Sequence, residues 1–272
     1  MNKIDTTFKQ LRAAGRKAFM PFITAGDPDL AATAGLVREL SARGASLIEI
    51  GFPYSDPIAD GPVIQASYTR ALAKRLKLDA IFEAVRQLTS AAPSSSPLAP
   101  LVAMVSYAII FRHGPEQFMR EAKQAGFEGA IVPDLPVDEA GELAAIAARH
   151  DFKLILLVTP TTPRERAIEI ARTSTGFIYF VSIVGITGER TAIPASVLDY
   201  VAWLKSQTDL PVCIGFGIST PEHVRQLAPA ADGLIVGSAI VRRVADAAGA
   251  PRDQHVRDVG DYVASLIREL PG

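Results

Sequence analysis

Two acids frame the segment EIGFPYSDPIADGP, residues 49–62, eleven positions apart. Glu49 interrupts the apolar run ASLIEIG (45–51), with Leu47, Ile48, Ile50 and Phe52 around it. In an extended strand Leu47, Glu49 and Gly51 share one face, and Ile48 and Ile50 share the other. A carboxylate buried among such neighbours without a partner is costly, and it protonates instead. Two readings follow: a structural acid hydrogen-bonded to nearby backbone, or a carboxyl of raised pKa fit for general acid–base work. Its place near the C-terminal end of a buried strand favours the second. Asp56 and Asp60 sit in turn-forming contexts, Ser-Asp-Pro and Asp-Gly-Pro, and each is satisfied by a plain turn role. Yet Pro53, Pro57 and Pro62 restrict φ while Gly51 and Gly61 permit sharp bends, so this loop is stiff enough to hold a side chain in one place.

A second signal lies near the C-terminus. VGITGER (184–190), GFGIST (215–220) and VGSAIV (236–241) each follow an apolar run. Glycine lets the backbone approach a phosphate, and N–H groups at a helix start can hold it without any lysine or arginine. Together the three loops point to a phosphate ligand. Tyr179 in GFIYFVS is open to a core or a site role, as are Phe22 and Phe216 to core or pocket wall. The four histidines, at 113, 150, 223 and 255, lack metal-ligand spacing, and their helical contexts argue against metal catalysis and a Ser-His-Asp mechanism. The glycine motifs are not followed by a dinucleotide fingerprint, and no lysine stands at a strand end to form a Schiff base.

The elements that must position these residues repeat along the chain. Eight apolar runs begin at residues 18, 45, 100, 129, 153, 176, 211 and 232, most of them continuous, as strands buried on both faces should be. Asp27-Pro28, Gly114-Pro115, Thr162-Pro163 and Thr220-Pro221 predict helix starts between them, with Thr162 and Glu165 as a capping box. Gly44, Gly126, Gly176 and Gly233 predict helix ends. The pattern predicts a (β/α)8 TIM barrel, with a doubly wound open sheet as the alternative. Extra helices are expected over TTFKQLRAAGR before the first strand and VRDVGDYVASLIREL at the end. AAPSSSPLAP (91–100) reads as a loop at the barrel floor, so residues 1–272 form one domain.

Composition excludes several partner classes. With 28 basic and 29 acidic residues the net charge is -1, which gives no reason to expect nucleic acid or an anionic membrane. The single cysteine, Cys213, rules out an intramolecular disulfide. No run reaches the roughly 18 apolar residues of a membrane span. The apolar stretch after Arg16-Lys17 is short and contains a proline, so it is not read as a signal peptide, and a cytoplasmic location is the expectation.

PFITAGDP, EIGFPYSDPIADGPVIQ, VPDLP, VSIVGITG, GFGIS and VGSAIV occur in the order found in tryptophan synthase alpha subunits. The resemblance covers residues 18–243, nearly the whole chain. It implies a (β/α)8 barrel that cleaves indole-3-glycerol phosphate to indole and glyceraldehyde 3-phosphate by a retro-aldol reaction. It also implies a beta-subunit partner in an α2β2 tetramer, with pyridoxal phosphate in that partner and no cofactor in this chain. Carried over by residue, Glu49 resembles the general acid–base, Asp60 the carboxylate at the indole N–H, and Tyr179 a tyrosine that aids catalysis. Gly188, Gly217, Gly237 and Ser238 resemble the phosphate cradle. Phe22, Ile131, Leu157, Phe216 and Ile235 fall at indole-pocket positions. Asp56 and Pro57 resemble the loop that signals to the beta subunit, and Thr187 the mobile loop over the site. The sequence departs from the pattern at Ser106, Tyr107 and Ala108, where an asparagine is usual, at Ser67 and Tyr68, and at Ile183 and Val184. Intact Glu49 and Asp60 speak against a merely activating, non-catalytic subunit. The missing asparagine leaves open a free-standing lyase that works without a partner.

Overall fold

The apolar runs become the staves of a parallel barrel. The computed structural model describes residues 1–57, 60–93, 95–181, 194–215, 217–246 and 251–271. Thr187 and Gly188, Ile183 and Val184, and Phe216 lie outside the described residues. The strands are β1 (Ala18–Thr24), β2 (Ile48–Gly51), β3 (Leu101–Met104), β4 (Phe127–Ile131), β5 (Lys153–Ile155), β6 (Leu157–Val158), β7 (Ile178–Val181), β8 (Val212–Gly215) and β9 (Gly233–Val236). They pair in parallel in the order β5-β4-β3-β2-β1-β9-β8-β7-β6. The two ends of that order are one stretch of chain interrupted only at Leu156. The Leu156 carbonyl accepts from the Tyr179 N–H, and the Ile155 carbonyl from the Val132 N–H, so the interrupted stave joins both neighbours. The ring therefore has the eight staves that the sequence predicts, and the open-sheet alternative falls.

Burial explains the closure. Leu47, Met20, Val102, Ile131, Ile155, Phe177, Tyr179, Cys213 and Ile235 pack with one another inside the ring. Phe19, Ile23, Ile48, Ile50, Ala103, Ile178, Ile214 and Leu234 belong to the larger core under the helices. Strands that are apolar on both faces need cover on both. The helix α1 (Lys3–Ala13) supplies it at the floor, where Ile4 and Phe8 join the inner cluster and the Phe8 and Phe177 ring centroids lie 5.7 Å apart. Asn2 caps this helix through the Ile4 N–H and also donates to the Glu128 and Asp151 carbonyls, which fixes the plug to the barrel wall.

The remaining helices are α2 (Leu30–Ala42), α3 (Pro62–Leu72), α4 (Leu78–Ser90), α5 (Tyr107–His113), α6 (Pro115–Ala125), α7 (Ala140–Arg149), α8 (Arg164–Thr173), α9 (Ala195–Ser206), α10 (Pro221–Leu227), α11 (Ser238–Asp246) and α12 (Arg252–Ile267). The expected extra helices at both ends of the chain are α1 and α12; of further ones, α5 and α11 follow β3 and β9 with no more than two residues between, and α3 follows the loop after β2. Thr220 caps α10 as predicted, accepting from the His223 N–H with Pro221 in the first turn. Pro115 opens α6, although Gly114 offers no side-chain cap. Three local expectations are corrected. Helix α2 is capped by Asp29 through the Ala32 N–H, which leaves Asp27 free for another role. Helix α8 starts one residue late, because the Thr162 hydroxyl accepts from the Thr159 N–H instead of capping it, so no capping box forms. Gly44 and Gly126 take the left-handed conformation of helix ends, but α8 already ends at Thr173 with Ser174 extended, so Gly176, at φ +81°, lies beyond it, and Gly233 opens β9. A methyl group there would lie 2.9 Å from Ala18 Cβ and 3.0 Å from Cys213 Sγ.

Candidate active site

Residues at the C-terminal ends of parallel barrel staves converge on one mouth. Glu49 lies on β2, opposite Phe22 of β1 and Val102 of β3. Its neighbour Leu47 packs inside the barrel and Ile48 and Ile50 pack outside, so Glu49 faces inward as alternation requires. The carboxyl is fully buried, and neither oxygen has a hydrogen-bond partner among the described residues. The structural reading, with its backbone partners, therefore fails. Burial holds the Glu49 carboxyl well above the usual carboxylate range, because a charge there would be desolvated.

The stiff loop is anchored at its base and bent back at its tip. Phe52 turns outward, with ring centroids 5.8 Å from Phe82, 6.2 Å from Phe118 and 5.5 Å from Phe127. At the tip the Asp60 N–H donates to the Pro57 carbonyl at 3.1 Å. Gln65 of α3 clasps the turn, its side-chain amide donating to the Asp60 carbonyl at 2.8 Å and the Pro57 carbonyl at 3.2 Å. Asp60 is thus brought over the mouth, where burial pushes its carboxyl up to about 6, a hydrogen bond from Tyr54 pulls it down, and the Asp134 charge adds to the rise. Asp56 is exposed and accepts the local bond from Ser55 Oγ, at 2.6 Å.

Tyrosines line the space between the acids. Tyr179 on β7 points into the barrel, and burial first, then the nearby Glu49 and Asp60 charges, raises its phenol well above 10. Tyr68 of α3 is buried, and after burial the same carboxylates, with Tyr54, raise its phenol too. The Tyr54 ring packs tilted against Tyr68, with centroids 5.6 Å apart. Glycines make room for these groups. A methyl on Gly51 would lie 2.8 Å from the Tyr68 hydroxyl and overlap the Phe22 ring, and one on Gly215 would lie 2.7 Å from the Tyr179 hydroxyl.

Of the expected pocket positions, Ile131, Leu157 and Ile235 gather in the barrel interior, and Phe22 joins Ile64, Tyr68 and Val241 above them. Gly217 follows β8 with φ +62°, and Gly237 and Ser238 lie where β9 turns into α11. The first turn of a helix leaves N–H groups without an intrahelical acceptor, so α11 offers them to an anion at this point. Ser106 and Ala108, departures from the expected pattern, form the start of α5: Ser106 Oγ accepts from the Ala108 N–H and donates to Asp134 at 2.6 Å. Ser67, another departure, donates to buried Asp27 at 2.5 Å. Sequence reasoning missed Thr24, Tyr54, Gln65 and Asp134. Tyr54 and Gln65 stood inside the quoted motif, but only the fold of the loop shows what they hold.

Staves, helices and mouth define a (β/α)8-barrel enzyme with its chemistry at the C-terminal face. The particular family comes from comparison. A family model described as "Tryptophan synthase alpha chain" matches residues 8–265. Tryptophan synthase alpha chains from Rhodopirellula baltica and a Cyanothece species are 52% and 46% identical, over 99% of this chain and 99% and 98% of theirs. The solved alpha chain of Legionella pneumophila superposes with a TM-score of 0.88 at 34% identity, covering 99% of this chain and 97% of that one. A Pyrococcus furiosus structure, described as a tryptophan synthase α2β2 complex, matches with a TM-score of 0.85 at 37% identity, over 93% of this chain and 99% of its own. The chain belongs to the tryptophan synthase alpha chain family, whose members are lyases.

Proposed function

We propose that this chain cleaves indole-3-glycerol phosphate to indole and glyceraldehyde 3-phosphate, with Glu49 as the general acid–base. The observation that carries the reading is a fully buried Glu49 carboxyl with no hydrogen-bond partner among the described residues. Breaking the bond between indole C3 and the glycerol carbon requires the ring to accept the electron pair. A protonated Glu49 adds its proton to C3, and the resulting carboxylate then takes the proton of the adjacent hydroxyl as the C–C bond breaks and the aldehyde forms. The Asp60 anion stabilises the positive charge at the ring nitrogen through the indole N–H. Unlike environments suit the pair to these unlike tasks: Asp60 at about 6 is mostly ionised at neutral pH, while complete burial favours the protonated form of Glu49. Tyr179 assists beside Glu49. Phe22, Ile131, Leu157, Phe216 and Ile235 hold the ring, and Gly188, Gly217, Gly237 and Ser238 hold the phosphate.

Residues 1–272 act as one barrel domain that carries no cofactor. Its partner is a tryptophan synthase beta subunit in an α2β2 assembly, and pyridoxal phosphate belongs to that subunit. Asp56 and Pro57 form the contact through which the partner senses the site, with Thr187 in the closing loop. Exposed Asp56 supports this, as does Phe111, which is 67% exposed on α5 just beyond β3. Among the described residues no helix is long and apolar enough to cross a membrane, in keeping with work in the cytoplasm. The test is release of indole and triose phosphate from indole-3-glycerol phosphate. Wild type should release both in equal amounts, and Glu49→Gln should lose at least about a hundredfold in kcat. Full activity in Glu49→Gln overturns the assignment.

A further inference from the structure

Three buried side-chain oxygens lack a hydrogen-bond partner among the described residues: both of Glu49, and Thr24 Oγ1. A buried hydroxyl left unpaired costs about 1–3 kcal/mol, so such a group calls for a ligand or a water. Thr24 is 3% exposed at the C-terminal end of β1. Ala18 and Met20 pack inside the barrel and Phe22 at its mouth, while Phe19, Ile23 and Ala25 pack outside. Thr24 therefore shares the inward face.

Register places it more closely. Phe22 lies opposite Glu49 and Thr24 opposite Gly51, so Thr24 stands one pleat above the acid, about 7 Å nearer the mouth. On its other side β1 pairs with β9, Pro21 opposite Val236, which sets Gly237 beside Phe22. A methyl on Gly237 would lie 3.7 Å from Phe22 Cβ. Thr24 thus sits between the stave that carries the acid and the stave that leads into the N-terminus of α11. The glycerol phosphate tail has the same order: the carbon whose hydroxyl reacts, then a carbon with a second hydroxyl, then the phosphate ester.

We propose that Thr24 Oγ1 hydrogen-bonds this second, non-reacting hydroxyl and so holds the reacting carbon over Glu49. The assignment rests on the lyase reading above. It makes Thr24 a positioning and specificity residue that takes no part in proton transfer.

The experiment compares indole-3-glycerol phosphate with its analogue lacking only the second hydroxyl, which retains the reacting hydroxyl and the phosphate. The kcat/KM of each is measured for wild type, Thr24→Val and Thr24→Ser. Wild type should prefer the natural substrate about tenfold. Thr24→Val should lose that preference by falling on the natural substrate alone, and Thr24→Ser should keep it. The ratio between substrates cancels any loss of folded protein. A thermal melt of Thr24→Val at or above wild type is also expected, since an unpaired hydroxyl has been removed. Equal losses on both substrates, or an unchanged preference in Thr24→Val, overturn the proposal. Wild type that cleaves neither compound overturns the lyase reading itself, and this assignment falls with it.

Discussion

Glu49 and Asp60 both have raised carboxyls for the same first cause, burial, but to different degrees. The chemistry uses that difference. In the proposed mechanism Asp60 is the anion and Glu49 the acid at the outset, so activity should lie above the Asp60 titration and below that of Glu49. The kcat/KM of wild type should fall as pH drops through about 6, where Asp60 takes up its proton. Asp60→Asn should lower kcat/KM and abolish that acid limb, and an unchanged limb would assign it elsewhere. The linked effect on stability has a definite sign. The folded state binds this proton more tightly than the unfolded chain, so ionised Asp60 opposes folding above about 6. Relative to Asp60→Asn, wild type should gain stability as pH falls through that value toward the ordinary carboxylate range, as read by denaturant midpoints.

At the scale of elements, α3 holds the site together. It supplies Gln65 to the Asp60 turn and Tyr68 to the wall beside Gly51. Its own position is fixed by buried Asp27, which accepts from Ser67 Oγ and from Arg70 Nε at 3.1 Å and Nη2 at 2.6 Å. Lys74, farther along, donates to the Pro28 carbonyl. One carboxylate in the β1–α2 loop thereby ties the stave that carries Phe22 to the helix that follows Asp60. Asp27→Asn weakens charge-assisted bonds and should cost about 2 kcal/mol in denaturant unfolding. Activity should fall further than that loss of folded protein explains. Wild-type activity at full occupancy of the folded state would mean that α3 is held by its apolar contacts alone.

The whole molecule places its reacting groups on one rim and its plug, α1, at the other end. The rim carries the exposed Asp56 turn and α5, whereas the floor is closed by Ile4 and Phe8. A partner that senses the reaction must therefore approach the mouth. Mixing the chain with a tryptophan synthase beta subunit should give a species of α2β2 mass in light scattering and a raised cleavage rate. Asp56→Ala should weaken both. A rate as high without the partner as with it would favour the free-standing lyase that the missing asparagine after β3 leaves open.

The barrel was legible in the chain because strands buried on both faces must be written as continuous apolar runs, and eight of them alternate with amphipathic segments. Glu49 was legible for a related reason: an acid inside such a run is expensive enough to require a purpose. Local chemistry also told the caps of α6 and α10, though it misplaced those of α2 and α8, where Asp27 and Thr162 had better partners elsewhere. The resemblance supplied roles for residues that spacing alone left open, such as Asp56 and Ser238. Only the tertiary structure decided that Tyr54 holds Asp60, and that neither the Glu49 carboxyl nor the Thr24 hydroxyl has a hydrogen-bond partner among the described residues. Those facts depend on which residues lie opposite one another across staves and loops. Such pairings are set by barrel closure and strand register, and a chain read one position after another does not contain them.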